Sequence, residues 1–200
     1  EQAKKNLEKE IKDYNLENLA LTARNEWNKA LGKIDVSGGT EDQKTTFYTA
    51  LYRSHERMIN ISEDGKYFSG FDGKVHDDEG VDFWTDDWIW DNYHALHPLQ
   101  IILNPADEVE KLTSYIRMYE HSGWMPTFPC VFGDAHCMNG NHAAAMFADA
   151  LIVVCSTVDL CETAVDETTT LSSITTFSFN IISPMSKVAL SGISLISSLT

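Results

Sequence analysis

Apolar positions recur at helical spacing through most of the first 150 residues. Leu7, Ile11, Tyr14, Leu21 and Trp27 fall near a 3.6-residue period among charged neighbours. That spacing predicts a helix over about residues 3–31, with Gly32 as its stop. After the loop Val36-Ser-Gly-Gly-Thr40, Thr40 and Gln43 fit a capping box, the hydroxyl accepting from the first turn while the amide reaches back. Phe47, Leu51, Ser54 and Met58 follow at steps of four, three and four, which predicts a helix ending near Asn60. Over 61–83 the period changes. Asp64-Gly65 and Asp72-Gly73 are turn dipeptides flanking Tyr67, Phe68 and Phe71, so a short hairpin is expected.

Helical spacing returns at Thr85, where Thr85, Asp86 and Asp87 suit the positive end of a helix running to Leu103. Asn104 as cap and Pro105 at the first helical position start another. Its core stripe reads Val109, Leu112, Ile116 and Tyr119, and Gly123 closes it. The stretch Gly123–His142 cannot be a long helix, because Pro126 and Pro129 each remove a backbone donor. A last helix starts at about His142 with Ala143-Ala-Ala. Helices in succession joined by short loops predict an all-α array interrupted by a short β-hairpin.

After about Ala150 the pattern breaks. Residues 151–200 are about a third Ser and Thr, with Lys187 the only base. A disordered low-complexity tail, a β-prone segment and sequence read out of its proper frame are the competing readings, and the abruptness favours the last. Leu151-Ile-Val-Val is too short to span a bilayer, and Pro184, Lys187 and many hydroxyls interrupt 181–199.

Composition narrows the partners. The 200 residues carry 30 acids and 15 bases, a formal net charge of −15. A chain so acidic is unsuited to nucleic acid or to anionic membrane surfaces, and suits a neutral polar ligand or a cation. No secretory leader is visible at Glu1, and four cysteines do not make a disulfide framework. Cys130 and Cys137 could bridge or stay free.

The proline-marked stretch holds the densest chemistry: Asp134, His136, His142, Cys130, Cys137, Trp124 and Phe128. One reading is a core-crossing loop whose polar groups bond internally. Another is a zinc site from Cys130, His136, Cys137 and His142, although no Cys-x-x-Cys clip is present. Asp72, Asp77, Asp78 and Glu79 do not match the twelve-residue calcium loop. Phosphate-cradling, nucleophile-elbow and dinucleotide motifs are absent from the sequence. On the third helix Asp87, Asp91 and His94 would share a face, beside Trp90, His94 and His97. A Trp next to an Asp suits a sugar: the ring covers the C–H face while the carboxylate takes hydroxyls. Trp90–Asp91 is the pair singled out, with Trp84 and Trp88 read as core. Asp134 could serve as a general acid for glycosidic cleavage, with Asp91 its only obvious companion here.

Six ordered strings carry a resemblance: Gly38-Gly-Thr, Phe47-Tyr-Thr-Ala-Leu-Tyr52, Phe71-Asp-Gly-Lys-Val-His76, Trp90-Asp-Asn-Tyr-His-Ala-Leu-His-Pro-Leu99, Ser122-Gly-Trp-Met-Pro126 and Cys137-Met-Asn-Gly-Asn-His142. Over about residues 20–150 the chain resembles glycoside hydrolase family 92, the calcium-dependent exo-acting α-mannosidases. The resemblance implies part of an (α/α)6 toroid that in the family follows a β-sandwich. Residues 1–40 would be the linker helix region, 41–150 the first part of the catalytic domain, and 151–200 an atypical tail. It implies inverting cleavage of terminal α-mannosides in mannose-rich N-glycans, and a secreted or periplasmic location. Trp90 and Asp91 match the family's terminal-mannose subsite. Asp134 falls where many members carry a glutamate acid, in Phe132-Gly-Asp-Ala here. The general base and calcium ligands would lie outside this chain, leaving it inactive alone. A non-catalytic carbohydrate-binding or scaffold fragment is the alternative.

Overall fold

A computed structural model describes residues 1–157, with side chains to residue 150. Of the tail at 151–200, residues 151–157 continue the last helix, and the three readings of the rest lie outside the described residues. The expected first helix is two: α1 (Gln2–Glu10) and α2 (Leu16–Leu31). Asn15 leaves the helical region and its side chain accepts from the amides of Glu17 and Asn18, while Asp13 accepts from the amide of Asn15. Short polar side chains that bond nearby backbone compete with helix continuation, and here they win. Neither helix buries a residue fully. α2 is held to α3 (Glu41–Arg53) partly by Trp27 against Tyr52, ring centroids 4.5 Å apart.

The capping box at Thr40 and Gln43 forms as expected. α3 ends at Arg53, not near Asn60, because Ser54 Oγ donates to Leu51 O, and His55 Nδ1 lies 2.9 Å from the same carbonyl. Met58 therefore enters the core from outside the helix. Just beyond it, β1 (Ile59–Asn60) pairs antiparallel with β4 (Trp84–Thr85). The expected hairpin is β2 (Lys66–Ser69) with β3 (Lys74–Asp77), in register Lys66↔Asp77 to Ser69↔Lys74. Its turn closes through Gly73, at φ +70°.

The expected helix from Thr85 to Leu103 is a strand end and two short helices, α4 (Ile89–Asn92) and α5 (Leu96–Leu103). Thr85 lies in β4, Asp86 takes φ +63°, and Asp87 turns inward rather than capping a helix. α6 (Pro105–Ser122) ends as expected at Gly123 in the left-handed region. Its buried face is not the apolar stripe. Glu108, Lys111, Ser114, Tyr115 and Met118 face inward, and Val109 is half-exposed at 54%. β5 (Pro129–Cys130) pairs with β6 (Gly133–Asp134), and α7 (His142–Thr157) follows.

Helices thus dominate the described residues, accompanied by three two-stranded pairs where one was expected. The core gathers Met58, Tyr67, Phe83, Ile89, Tyr115, Met118, Ala143 and Met146. Tyr67 stacks on Phe83 at 4.1 Å. Among the described residues no helix is long and apolar enough to cross a membrane.

Candidate active site

Beneath α4 lies a buried chain of charges. Asp87, fully buried, accepts from Asn92 Nδ2 at 2.6 Å and the Tyr115 hydroxyl at 2.6 Å, and lies 2.9 Å from His97 Nε2. The other imidazole nitrogen of His97 lies 2.5 Å from Glu108, whose second oxygen accepts from Lys111 Nζ at 3.3 Å. Burial works against a charged imidazole, yet the hydrogen bonds and charges of Asp87 and Glu108 push His97 up to about 9. Burial would raise Asp87, but its bonds from His97, Tyr115 and Asn92 hold it below the usual carboxylate value. Burial, then the carboxylates of Asp87, Glu108 and Asp134, push Tyr115 well above the ordinary phenol range. Carboxylate, imidazolium, carboxylate and ammonium alternate, so the chain is neutral overall.

This chain also fixes the loop that carries Asp134. The amide of Asp87 donates to Pro129 O at 3.0 Å, and Thr85 Oγ1 donates to Cys130 O at 3.2 Å. Both acceptors lie on β5, whose partner strand ends in Asp134. Asp134 accepts from the amides of Phe128 at 2.8 Å and Thr127 at 3.1 Å, and His136 Nδ1 stands 3.2 Å away. Both carboxylate oxygens are thus engaged by the loop's own donors.

From the other side, the β2–β3 hairpin meets the β5–β6 turn backbone to backbone. A Cβ on Gly70 would stand 2.4 Å from Val131 O and from Phe132 C. Gly133, at φ +121°, faces Gly70 O in return. Gly70→Ala is therefore expected to force the turn away and destabilise the fold by about 1–3 kcal/mol, read by calorimetry. An unchanged melting temperature would show that the two turns yield freely.

Trp90 and Asp91 sit on α4 at the surface, Trp90 42% exposed. The Trp90 ring meets His142 edge-on at 5.1 Å, and Tyr93 stacks on the same imidazole at 4.5 Å. His142 Nε2 is buried without a hydrogen-bond partner among the described residues. So the segment before α4 touches the Asp134 hairpin, while α4 itself touches the start of α7. Trp90 and Asp91 follow directly on the segment bonded to the β5–β6 hairpin, with no continuous helical face joining the pair to Asp134. The expected face of Asp87, Asp91 and His94 does not exist, because Asp87 precedes α4 and the chain breaks again before α5. His97 likewise leaves the expected stripe for the interior.

Trp84 packs against the core and donates from Nε1 to Glu110. Trp88, expected in the core, is 44% exposed under the Arg57 guanidinium, 4.7 Å from the ring centroid. Arg57 also pairs with Asp86. Cys130 is buried and Cys137 exposed, both free. Among the described residues, no three of Cys130, His136, Cys137 and His142 converge as a zinc site requires. An open groove lined by Leu31, Lys44, Tyr48 and Tyr52 lies away from this chemistry, against α2 and α3.

Glu108 and Tyr115 escaped the sequence reading, which had Asp87 only as a helix-start acid on a face with Asp91 and His94. A usable signal was the single imidazole in the apolar octet Leu96–Leu103, since an ionisable group there needs a buried partner.

The sequence matches the glycosyl hydrolase family 92 catalytic domain over residues 2–176, further in both directions than the quoted strings reach. The fold resembles an inverting family 92 mannosidase from Bacteroides thetaiotaomicron, at 35% identity and a TM-score of 0.69, over 79% of this chain and 22% of that one. It also resembles a family 92 α-mannosidase of the same organism, at 26% identity and a TM-score of 0.68, over 75% and 20%. A further structure of that α-mannosidase, in complex with mannoimidazole, aligns with a TM-score of 0.67 at 26% identity, over 74% and 20%. No curated protein matches the chain. The chain spans about a fifth of the length of these solved relatives. With the family domain matched over most of its length, the chain belongs to glycosyl hydrolase family 92.

Proposed function

We propose that this chain forms the first part of the (α/α)6 toroid of a longer, inverting exo-α-mannosidase acting on mannose-containing glycans of the N-glycan type. Trp90 covers the apolar face of the terminal mannose and Asp91 takes its hydroxyls. Asp134 protonates the departing glycosidic oxygen, while a carboxylate elsewhere in the enzyme activates water on the opposite face. The observation that carries this reading is the placement of an exposed Trp–Asp pair on α4, directly after the segment that bonds the Asp134 hairpin. Apolar side chains left in solvent, Ile102 at 71% and Val109 at 54%, suit helices that pack against a remainder of the domain.

Calcium is the family's metal, and it takes six to eight oxygen ligands. The described residues do not fit it: the single convergent group of ligating side chains is one carboxylate with two imidazoles. No step here runs through the ion, whose ligands we place outside this chain. Export to the cell exterior or periplasm is part of the same proposal.

One observation favours a second reading, a carbohydrate-binding piece without catalysis: both Asp134 oxygens are occupied by the loop. In the complete enzyme, Trp90→Ala is expected to cut kcat/KM for an aryl α-mannoside by about tenfold to a hundredfold, each factor of ten being about 1.4 kcal/mol of lost contact. The 200-residue chain alone should release no mannose, with or without calcium. Unchanged kinetics in the Trp90 variant, or turnover by the isolated chain, would overturn the proposal.

A further inference from the structure

We propose that Asp72, His76 and His121 bind a transition-metal dication of the zinc class, at a site separate from the sugar-facing residues. Asp72 lies in the turn between β2 and β3, His76 on β3, and His121 in the last turn of α6. One ligating atom from each lies within 4.8 Å of the others. The Asp72 oxygens stand 3.0 and 3.2 Å from His76 Nε2, and the two imidazole rings lie 4.1 Å apart. Asp72 and His76 are 14% and 28% exposed, buried enough to be held and open enough for an ion to enter.

His121 Nδ1 is 2.9 Å from Oγ of the fully buried Ser69, which also accepts from the amide of Phe71. That bond fixes one ring nitrogen and leaves Nε2 for a ligand, the usual division of labour at metal-bound imidazoles. The Tyr67 hydroxyl stands 3.5 Å from Nε2. Lys74 Nζ, 3.8 Å from Asp72, is well exposed and can swing aside. Two nitrogens and one carboxylate oxygen suit zinc or cobalt and leave calcium short of oxygen ligands. The rings are within 12° of parallel, so one must turn about its Cβ–Cγ bond to aim its lone pair at a shared ion. The bound ion would tie the β2–β3 hairpin to the end of α6, and so brace the turn at Gly70. None of these residues has a part in the proposed cleavage, so this site stands or falls independently of the mannosidase reading.

The test titrates the 200-residue chain, stripped with chelator, with Zn2+ by calorimetry and with Co2+ by visible absorption. One equivalent of Zn2+ is expected to bind and raise the melting temperature, with no response to Ca2+ at the same concentration. His76→Gln and His121→Gln should each weaken Zn2+ by more than about tenfold. Asp72→Asn should do the same, and the exposed His94→Gln should have no effect. Circular dichroism establishes that each variant is folded, and any single folded variant suffices. No Zn2+ binding, equal binding in the histidine variants, or a thiolate-to-cobalt charge-transfer band would overturn the proposal.

Discussion

Asp134→Asn in the complete enzyme is expected to slow release of mannose from an unactivated α-mannoside by about 10²–10⁴-fold. The same variant should be slowed far less on an aryl α-mannoside whose phenol is strongly acidic. A general acid lowers the barrier by giving the departing oxygen a proton as the bond to the anomeric carbon breaks, and a weakly basic phenolate leaves without one. The contrast between substrates matters because Asp134 has a second task. Its oxygens accept from the amides of Thr127 and Phe128, and an amide side chain cannot accept at both positions. The variant therefore disturbs the loop as well as removing a proton. Disturbed positioning slows both substrates alike, whereas a missing acid slows mainly the one that needs it. Equal losses would assign Asp134 to holding the loop and give the second reading its support. Aspartate also reaches less far than glutamate by one methylene, so the Phe128–Asp134 turn must carry the carboxyl closer to the scissile bond.

Three local signals in the sequence were read correctly, while the equally local helix breaks at Asn15 and Ser54 were not. The Thr40–Gln43 box, the hairpin between two Asp-Gly turns and the Gly123 stop each depend on residues within a few positions of one another. The ordered family strings were legible too, and the matched domain contains them. What periodicity could not supply is a buried face made of charges. α6 turns Glu108 and Lys111 inward and leaves Val109 outside, the reverse of what apolar spacing implies. The reason lies on other elements: Glu108 needs His97 on α5, and His97 needs Asp87 beside β4. The same demand draws Asp87 out of the expected helix start. At the candidate site the Trp90–Asp91 pair was visible as a dipeptide. The backbone-to-backbone fit of Gly70 and Gly133, which positions the Asp134 turn, leaves no trace in hydropathy.

His97→Gln is expected to destabilise the fold by about 3–5 kcal/mol, because it leaves two carboxylates buried without their shared cation. Against a typical stability of about 5–15 kcal/mol, that is at least about a fifth of the total. Asp87 is fully buried and Glu108 nearly so, and neither can recover water when the imidazolium is gone. A glutamine at 97 can donate to one of them and offers the other an acceptor or nothing.

The pH dependence gives this loss a signature that a packing defect lacks. His97 has its folded value raised from 6.5 to about 9, so its stabilisation is fully present below pH 6.5 and is lost as pH rises through about 9. The span corresponds to about 3 kcal/mol. Asp87 has its folded value lowered, so its contribution is present above pH 3.8 and is lost as pH falls through the folded value. Denaturation midpoints should therefore form a plateau between about pH 4 and 6.5 and decline on the alkaline side, with the Tyr115 hydroxyl, pushed up by burial, still protonated there. In His97→Gln the alkaline decline should disappear and the acid limb should shrink, because His97 is the first of the groups that hold Asp87 low; on the alkaline side the difference between the two proteins shrinks steadily from pH 6.5 to 9. A constant difference across that range would mean that His97 fills space in the core and carries no charge between Asp87 and Glu108.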